Sequence, residues 1–189
     1  MGKRLEDMSL QELWELFPIF LKPHNPEWKK WAKEEICALT RLLNHFSPSI
    51  NHIGSTAISG IQAKPIVDIL VEVPLECEYS QIREILVNSD YICMSQTKER
   101  MSFNKGYTPN GYAEKVFHIH VHRAGDNDEI LFRDYLISHP VIAKEYEMLK
   151  LSLLPRYRHN RDAYTDAKSE FVKRIVDAAF GDRNCKDKS

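Results

Sequence analysis

The chain has 189 residues, of which 43% are hydrophobic and 28% are charged. This apolar content can form a core, which excludes a disordered chain, and the length suits one domain. The formal charge is −1, whereas a protein that binds duplex nucleic acid needs a surplus of Lys and Arg, so we expect no such partner. The sequence shows neither a bilayer-spanning apolar segment nor a signal peptide, and its four cysteines are scattered. We therefore expect a cytoplasmic protein without membrane contact.

Helices are predicted near both ends of the chain. Ser9 and Glu12 form a capping-box pattern that starts a short helix, and Pro26 suits the first position of the next one. Asn160 is a candidate cap for the last helix, and Gly181 is expected just past its end. The predicted helices are residues 9–17, 26–45, 79–88, 129–138, 140–154 and 161–180. We expect one domain over residues 1–181, with 9–17 as an N-terminal helical extension and 182–189 as a polar, disordered tail.

Strands are predicted between these groups of helices. Residues 65–73 are almost continuously apolar, which is typical of a strand buried on both faces. Asn110 and Gly111 are typical of the turn of a hairpin. The other predicted strands are residues 49–53, 91–94, 100–104 and 115–123. The order predicts an α+β fold, with a small mixed sheet and flanking N- and C-terminal helices.

The loop after the first strand has the composition of an anion-binding site. Gly54 allows a sharp turn that can present backbone N–H groups, and Ser55 and Thr56 add hydroxyl donors. A helical turn at 56–59 would add a partial positive charge, and Lys64 is a candidate counter-charge. We expect this loop to bind phosphate oxygens.

Asp68 lies inside the apolar strand, where a carboxylate is costly unless it is paired, metal-bound or facing a cleft. The alternative is a structural carboxylate held by backbone donors. His118, His120 and His122 alternate along a later strand and therefore share a face. His118 or His120 could complete a metal site with Asp68, and imidazole suits Zn²⁺ or Mn²⁺ better than Mg²⁺. Alternatively, His120 is a general base, or the histidines are a solvated face, and His122 is expected to be exposed near the strand end.

Three further residues are candidate phosphate or nucleotide contacts. Arg100 opens a strand and could reach a phosphate, or it could be a solvated strand end. Tyr164 and Lys168 are four residues apart on the last predicted helix and share a face. That face could close over a base or a phosphate, or it could pack on the domain with Lys168 in an ion pair.

The segment HIGSTAISGIQAKPIVDILV at 52–71 resembles the GrpB family, as do the blocks at 118–121, 132–136 and 163–169. The resemblance covers residues 9–178. The Gly-Ser pair followed by an acidic strand is also similar to the nucleotidyltransferase superfamily, in which two carboxylates stand one residue apart. This resemblance implies a nucleotidyltransferase-like fold. Here the second position is Leu70, and the Cα of Glu72 would lie about 13 Å from that of Asp68, so the superfamily's two-metal site is incomplete.

Three functional hypotheses follow. The first is an enzyme that binds a nucleotide or another phosphorylated small molecule and transfers a nucleotidyl or phosphoryl group with one divalent metal ion (Mg²⁺, Mn²⁺ or Zn²⁺) on Asp68, His118 and His120. The second is a binding module without turnover, because Leu70 replaces a metal ligand. The third is a scaffold whose N-terminal helix docks a protein partner.

Overall fold

The computed structural model describes residues 3–186 of the chain. The helices are α1 (Leu10–Leu16), α2 (Glu27–Leu42), α3 (Tyr79–Val87), α4 (Asp128–Ser138), α5 (Pro140–Tyr157), α6 (Arg161–Asp166) and α7 (Ser169–Lys186). The strands are β1 (Ser49–Ile53), β2 (Val67–Val73), β3 (Ile92–Gln96), β4 (Arg100–Thr108) and β5 (Gly111–Arg123).

The five strands form one mixed sheet in the order β1-β2-β5-β4-β3. Strands β2 and β5 are parallel, and the other neighbouring pairs are antiparallel. The predicted α+β class, with a small mixed sheet and flanking helices, is confirmed. Within residues 3–186, no helix has the length and apolar character that crossing a membrane requires.

The two faces of the sheet have different chemistry because side chains alternate along a strand. One face carries buried apolar residues such as Ile69, Phe103 and Ile119, which join a hydrophobic core with residues of α2 and α3. The opposite face carries Asp68 and the histidines of β5, and a second apolar cluster lies among α4, α5 and α7. The polar face of the central strands is therefore where a ligand site can form.

The N-terminal helices follow their predicted signals. The Ser9 hydroxyl accepts from the backbone N–H of Glu12 at 3.2 Å, and the Glu12 carboxylate accepts from the Ser9 N–H at 2.7 Å, which completes the capping box. Helix α2 begins directly after Pro26. It ends at Leu42 rather than near residue 45, because the chain tightens into a 3-10 turn at Asn44–Phe46 and then turns through Ser47 at φ 46°.

The predicted last helix is wrong in two respects. It is divided into α6 and α7 by a turn at residues 167–168, and it continues past Gly181 to Lys186. A glycine weakens a helix by only about 1 kcal/mol, so it does not end one that is held by tertiary packing. The cap is confirmed, since Asn160 accepts from the N–H of Ala163 at 3.0 Å. Of the predicted tail, residues 182–186 belong to α7, and 187–189 lie outside the described residues.

Candidate functional site

The site is centred on Asp68 and two histidines. The parallel register of β2 and β5 sets Asp68 beside His118 and Leu70 beside His120. The Asp68 Oδ1 lies 3.3 Å from Nδ1 of His118 and 3.6 Å from Nε2 of His120. Fifty residues of sequence separate the carboxylate from these imidazoles, and one strand pairing brings them together.

The surroundings of Asp68 keep it ionised. Burial raises the pKa of its carboxyl group, but hydrogen bonds and charge interactions with His118 and His120 outweigh burial, so the pKa lies well below its usual range. Burial also lowers the pKa of His118 to about 4. At neutral pH the site therefore contains a carboxylate next to a neutral imidazole, which are the protonation states of metal ligands.

The three side chains fit one metal ion. One ligand atom from each of Asp68, His118 and His120 lies within 4.8 Å of the other two. Bonds of about 2.1 Å in a tetrahedral zinc site separate the ligand atoms by about 3.4 Å, and the two distances from Asp68 are close to this value. Two imidazoles and one carboxylate suit Zn²⁺ or Mn²⁺. A pair of Mg²⁺ ions does not fit, because the buried Leu70 offers no oxygen.

Tyr107 and Arg161 orient the ring of His118. The Tyr107 hydroxyl lies 2.7 Å from Nε2 of His118, and Nη2 of Arg161 lies 2.8 Å from the same hydroxyl and 3.3 Å from that nitrogen. Arginine only donates, so Nε2 accepts and the ring proton lies on Nδ1, facing Asp68. A hydroxyl can donate or accept, so Tyr107 also satisfies Nε2 when a cation takes the Nδ1 lone pair.

The loop at Gly54 approaches Asp68 closely. Gly54 has φ 69° and ψ −172°, a conformation that is essentially restricted to glycine. A Cβ atom at this position would collide with the Asp68 carboxylate. The position before Ser55 therefore requires glycine for a steric reason, because the loop can contact the Asp68 carboxylate only where no side chain lies between them.

The hydroxyl groups that follow Gly54 have different surroundings. The Ser55 hydroxyl accepts from the ammonium group of Lys150 at 3.1 Å. The Thr56 hydroxyl is bonded to Nε2 of His52 at 2.9 Å, and Thr56 is buried, so this candidate phosphate contact faces the protein interior. The helical turn expected at 56–59 is a 3-10 turn over Ser55–Ala57, which is too short to give a helix dipole.

Lysines converge beside this loop. The ammonium groups of Lys64 and Lys168 lie 5.8 and 4.6 Å from the ring centre of Tyr164, which is buried beneath them. Burial and the charges of Lys168 and Arg161 lower the pKa of Lys64 to about 7. Burial and Lys168 lower that of Lys150 to about 7 as well. Within residues 3–186, neither Lys64 nor Lys168 forms a side-chain hydrogen bond or ion pair.

A cavity of about 600 Å³ opens at this place, which is within the usual range for small-ligand sites. Gly54, Asp68, His120 and Lys168 line it, together with residues of α4 and α7. Arg100 also lines it, but its guanidinium already forms two hydrogen bonds with the Asp126 carboxylate, at 2.6 and 2.7 Å.

Beyond His120, the side chains at the ends of β2 and β5 are occupied by contacts within the protein. The prediction that His122 is exposed is wrong. His122 is buried because the turn after β5 and helix α4 fold over it, and its Nδ1 lies 3.0 Å from the backbone oxygen of Asp126. Glu72 is also occupied, because its carboxylate accepts from the N–H of Gly125 and the amide of Asn127. Neither residue is available to a ligand at Asp68.

The sequence of the chain is similar to known proteins over most of its length. The family described as GrpB protein matches residues 18–178. The chain belongs to the GrpB family. The glutamate-rich protein GrpB of Alkalihalophilus pseudofirmus is 35% identical over 164 residues, which are 84% of this chain and 94% of that protein. A UPF0157 protein of Pseudomonas aeruginosa is 36% identical over 161 residues, and the aligned part covers 84% of this chain but only 66% of the relative.

One solved structure similar to this chain is itself a GrpB protein. The crystal structure of GrpB from Enterococcus faecalis is 28% identical, with a TM-score of 0.71, and the match covers 87% of this chain and 99% of that one. A structure of the Cid1 poly(U) polymerase bound to MgATP is 14% identical, covers 75% of this chain and 44% of its own, and has a TM-score of 0.49, which is too low to bear on function.

Sequence reasoning missed two cations of this GrpB site, Lys150 and Arg161. Lys150 had a usable signal, because it follows Ala143, Tyr146 and Glu147 at helical spacing on the buried side of α5. A lysine on such a stripe is costly unless it faces a polar site. Arg161 had no comparable signal, since a basic residue in the first turn of a helix is ordinarily exposed.

Proposed function

We propose that this GrpB protein transfers a nucleotidyl or phosphoryl group from a phosphorylated donor with the help of one divalent metal ion. The observation that carries the proposal is a juxtaposition. The Asp68, His118 and His120 ligand atoms lie beside the Gly54 loop, and lysines without acidic partners stand next to it. A carboxylate–imidazole cluster attracts a cation, and unpaired ammonium groups attract the negative charge of a polyphosphate.

Each group has a defined task in this proposal. Lys64 and Lys168 bind and orient phosphate oxygens, and Tyr164 supports these two lysines, which lie over its ring. Ser55 adds a hydroxyl contact, and the buried Lys150 holds that hydroxyl in place. Asp68, His118 and His120 hold the metal. When bound there, Zn²⁺ or Mn²⁺ would act as a Lewis acid that stabilises negative charge developing on the phosphate. If the reaction proceeds without a metal ion, His120 would instead act as the general base that takes the proton of the attacking hydroxyl.

A second candidate function is binding without turnover. Leu70, fully buried beside His120, takes the place where the superfamily pattern has a second metal-binding carboxylate. A pocket with one cation can still hold a nucleotide or a phosphorylated metabolite. In this alternative the same residues bind the same ligand, and only the chemical step is missing.

Thermal stability in the presence of ATP and each of Zn²⁺, Mn²⁺ and Mg²⁺ tests both functions. ATP at 100 times its Kd would add about 2.7 kcal/mol, which is a rise of roughly 5–10 °C in Tm for a chain of this length. We expect the full rise only with Zn²⁺ or Mn²⁺, and we expect Asp68→Asn to abolish the metal-dependent part. Asp166→Asn, at an exposed carboxylate of α6, is the matched control and should behave as wild type.

Phosphorus-31 NMR of the reaction mixture then separates the two functions. A nucleotidyl transferase releases pyrophosphate from ATP, a phosphoryl transferase releases ADP, and a binding module leaves ATP unchanged after prolonged incubation. If neither ATP nor any of the three metals changes the Tm, both functions are refuted.

A further inference from the structure

A second cavity shares the lining residue His120 with the cavity described above. It has a volume of about 830 Å³ and lies between α1 and the strands β3, β4 and β5. We call it the α1 chamber. His118 and His120, the two imidazoles that reach Asp68, are among its lining residues. His120 also lines the 600 Å³ cavity that contains Gly54 and Lys168, so the metal-ligand cluster lies between the two cavities.

The walls of the α1 chamber are mainly apolar. Leu13, Trp14 and Phe17 line it from the N-terminal segment, and Met94 lines it from β3. None of the residues of α1 is buried, so the apolar side of this helix covers the chamber without filling it. Such walls favour an apolar body, preferably an aromatic one, since thioether and ring groups contact aromatic ligands well.

One polar side chain inside the chamber lacks a partner. Asn104 lies on β4 beside His118, is only 7% exposed and lines the chamber. Among the residues described, its side-chain amide has no hydrogen-bond partner. The nitrogen and oxygen of this amide are open to the chamber rather than sealed in the interior, so a ligand hydroxyl can accept from or donate to them.

Helix α1 is also separate from the family pattern. The GrpB match begins at residue 18, whereas α1 spans Leu10–Leu16. The phosphate side of the site is built from residues inside the matched segment, and much of the apolar wall is built from residues before it. This division is expected of a transferase in which the donor site is shared and the acceptor site is particular to each protein.

We infer that the α1 chamber binds the acceptor substrate, a small molecule with an aromatic or aliphatic body and a hydroxyl group that Asn104 orients beside His118. This inference rests on the proposed transferase function. With ATP as donor, the hydroxyl oxygen forms a bond to the α-phosphorus while the bond from that phosphorus to the bridging oxygen breaks. Pyrophosphate leaves with the electron pair, and the hydroxyl proton passes to water.

The test uses 2-phenylethanol as the probe and ethylbenzene, which has the same body without the hydroxyl, as its comparison. Nitrogen-15 NMR of the full chain follows the indole N–H of Trp14 and the side-chain amide of Asn104 as each compound is added. We expect 2-phenylethanol to shift both signals and to bind about tenfold more tightly than ethylbenzene. Asn104→Leu should remove this tenfold preference, whereas Asn88→Leu, at an exposed position after α3, should keep it.

The outcomes separate this inference from the proposed function. If ATP and metal bind but 2-phenylethanol at 20 mM leaves the Trp14 and Asn104 signals unmoved, the inference is overturned and the transferase proposal stands. The inference is also overturned if Asn104→Leu keeps the preference for the hydroxyl compound. If both signals shift but neither ATP nor a metal binds, the transferase proposal is refuted, and the chamber is no acceptor site.

Discussion

Substituting Gly54 by alanine tests whether the loop must touch the Asp68 carboxylate. The backbone conformation of Gly54 costs a residue with a Cβ about 1–3 kcal/mol. The new methyl group would also collide with the Asp68 side chain, and such overpacking costs about 1–3 kcal/mol more. Gly60→Ala is the matched control, because Gly60 also has a positive φ of 82°, but a Cβ there meets none of the described atoms within 4 Å.

We expect Gly54→Ala to be less stable than Gly60→Ala by about 1–3 kcal/mol, the overpacking contribution alone. For a chain of this length the difference corresponds to roughly 2–12 °C in Tm, which differential scanning calorimetry resolves. Zinc affinity, measured by competition with a chromophoric chelator, should fall in Gly54→Ala because the carboxylate is displaced. Equal Tm values for the two variants would refute the close approach of the loop to Asp68.

Three further predictions concern the surroundings of the cluster. Because burial lowers the pKa of Lys64 and Lys150 from 10.5 to about 7, the folded chain binds fewer protons than the unfolded chain between these values. Its Tm should therefore rise with pH from about 7 towards 10, while ATP affinity falls as the ammonium groups lose their charge; scanning fluorimetry with and without ATP measures both. Tyr107→Phe removes the hydroxyl next to His118 and should weaken zinc binding about 10–100-fold in the chelator assay, and unchanged binding would contradict its orienting role. Arg100→Gln should leave ATP affinity within twofold in calorimetric titration, because its guanidinium is already paired; a tenfold loss would give it the phosphate role expected from sequence.

Much of the architecture could be predicted because its signals are local. The capping box of α1, Pro26 before α2 and the hairpin turn between β4 and β5 all act through neighbouring residues. The first two appear where the sequence places them, and the turn falls on residues 109–110, one position before the Asn-Gly pair, because Gly111 already pairs with Thr108. The end of the last helix could not be predicted in this way. Packing of α7 against α4 competes with the weak helix preference of Gly181, and the packing is visible only in the fold.

Some residues of the candidate site could also be predicted from local patterns, and others could not. Alternation along β5 places His118 and His120 on one face, and the burial cost of Asp68 marks it as a candidate partner, so these three residues could be found from sequence. Whether β5 pairs with β2, and in which register, depends on the whole sheet. Lys150 has a local signal in the buried stripe of α5, whereas the position of Arg161 beside Tyr107 and His118 follows from how α6 packs, which no local pattern encodes.

Because side chains alternate along β5, the position of its histidines depends on the apolar core on the opposite face of the sheet. Phe117, Ile119 and Val121 anchor the strand in the apolar core on the far side of the sheet. A slip of one residue would exchange them with the imidazoles, at a prohibitive cost in burial, so the core enforces the alignment of Asp68 with His118. Substitutions on the opposite side of the sheet that loosen this anchorage can therefore separate Asp68 from His118 while both residues are intact.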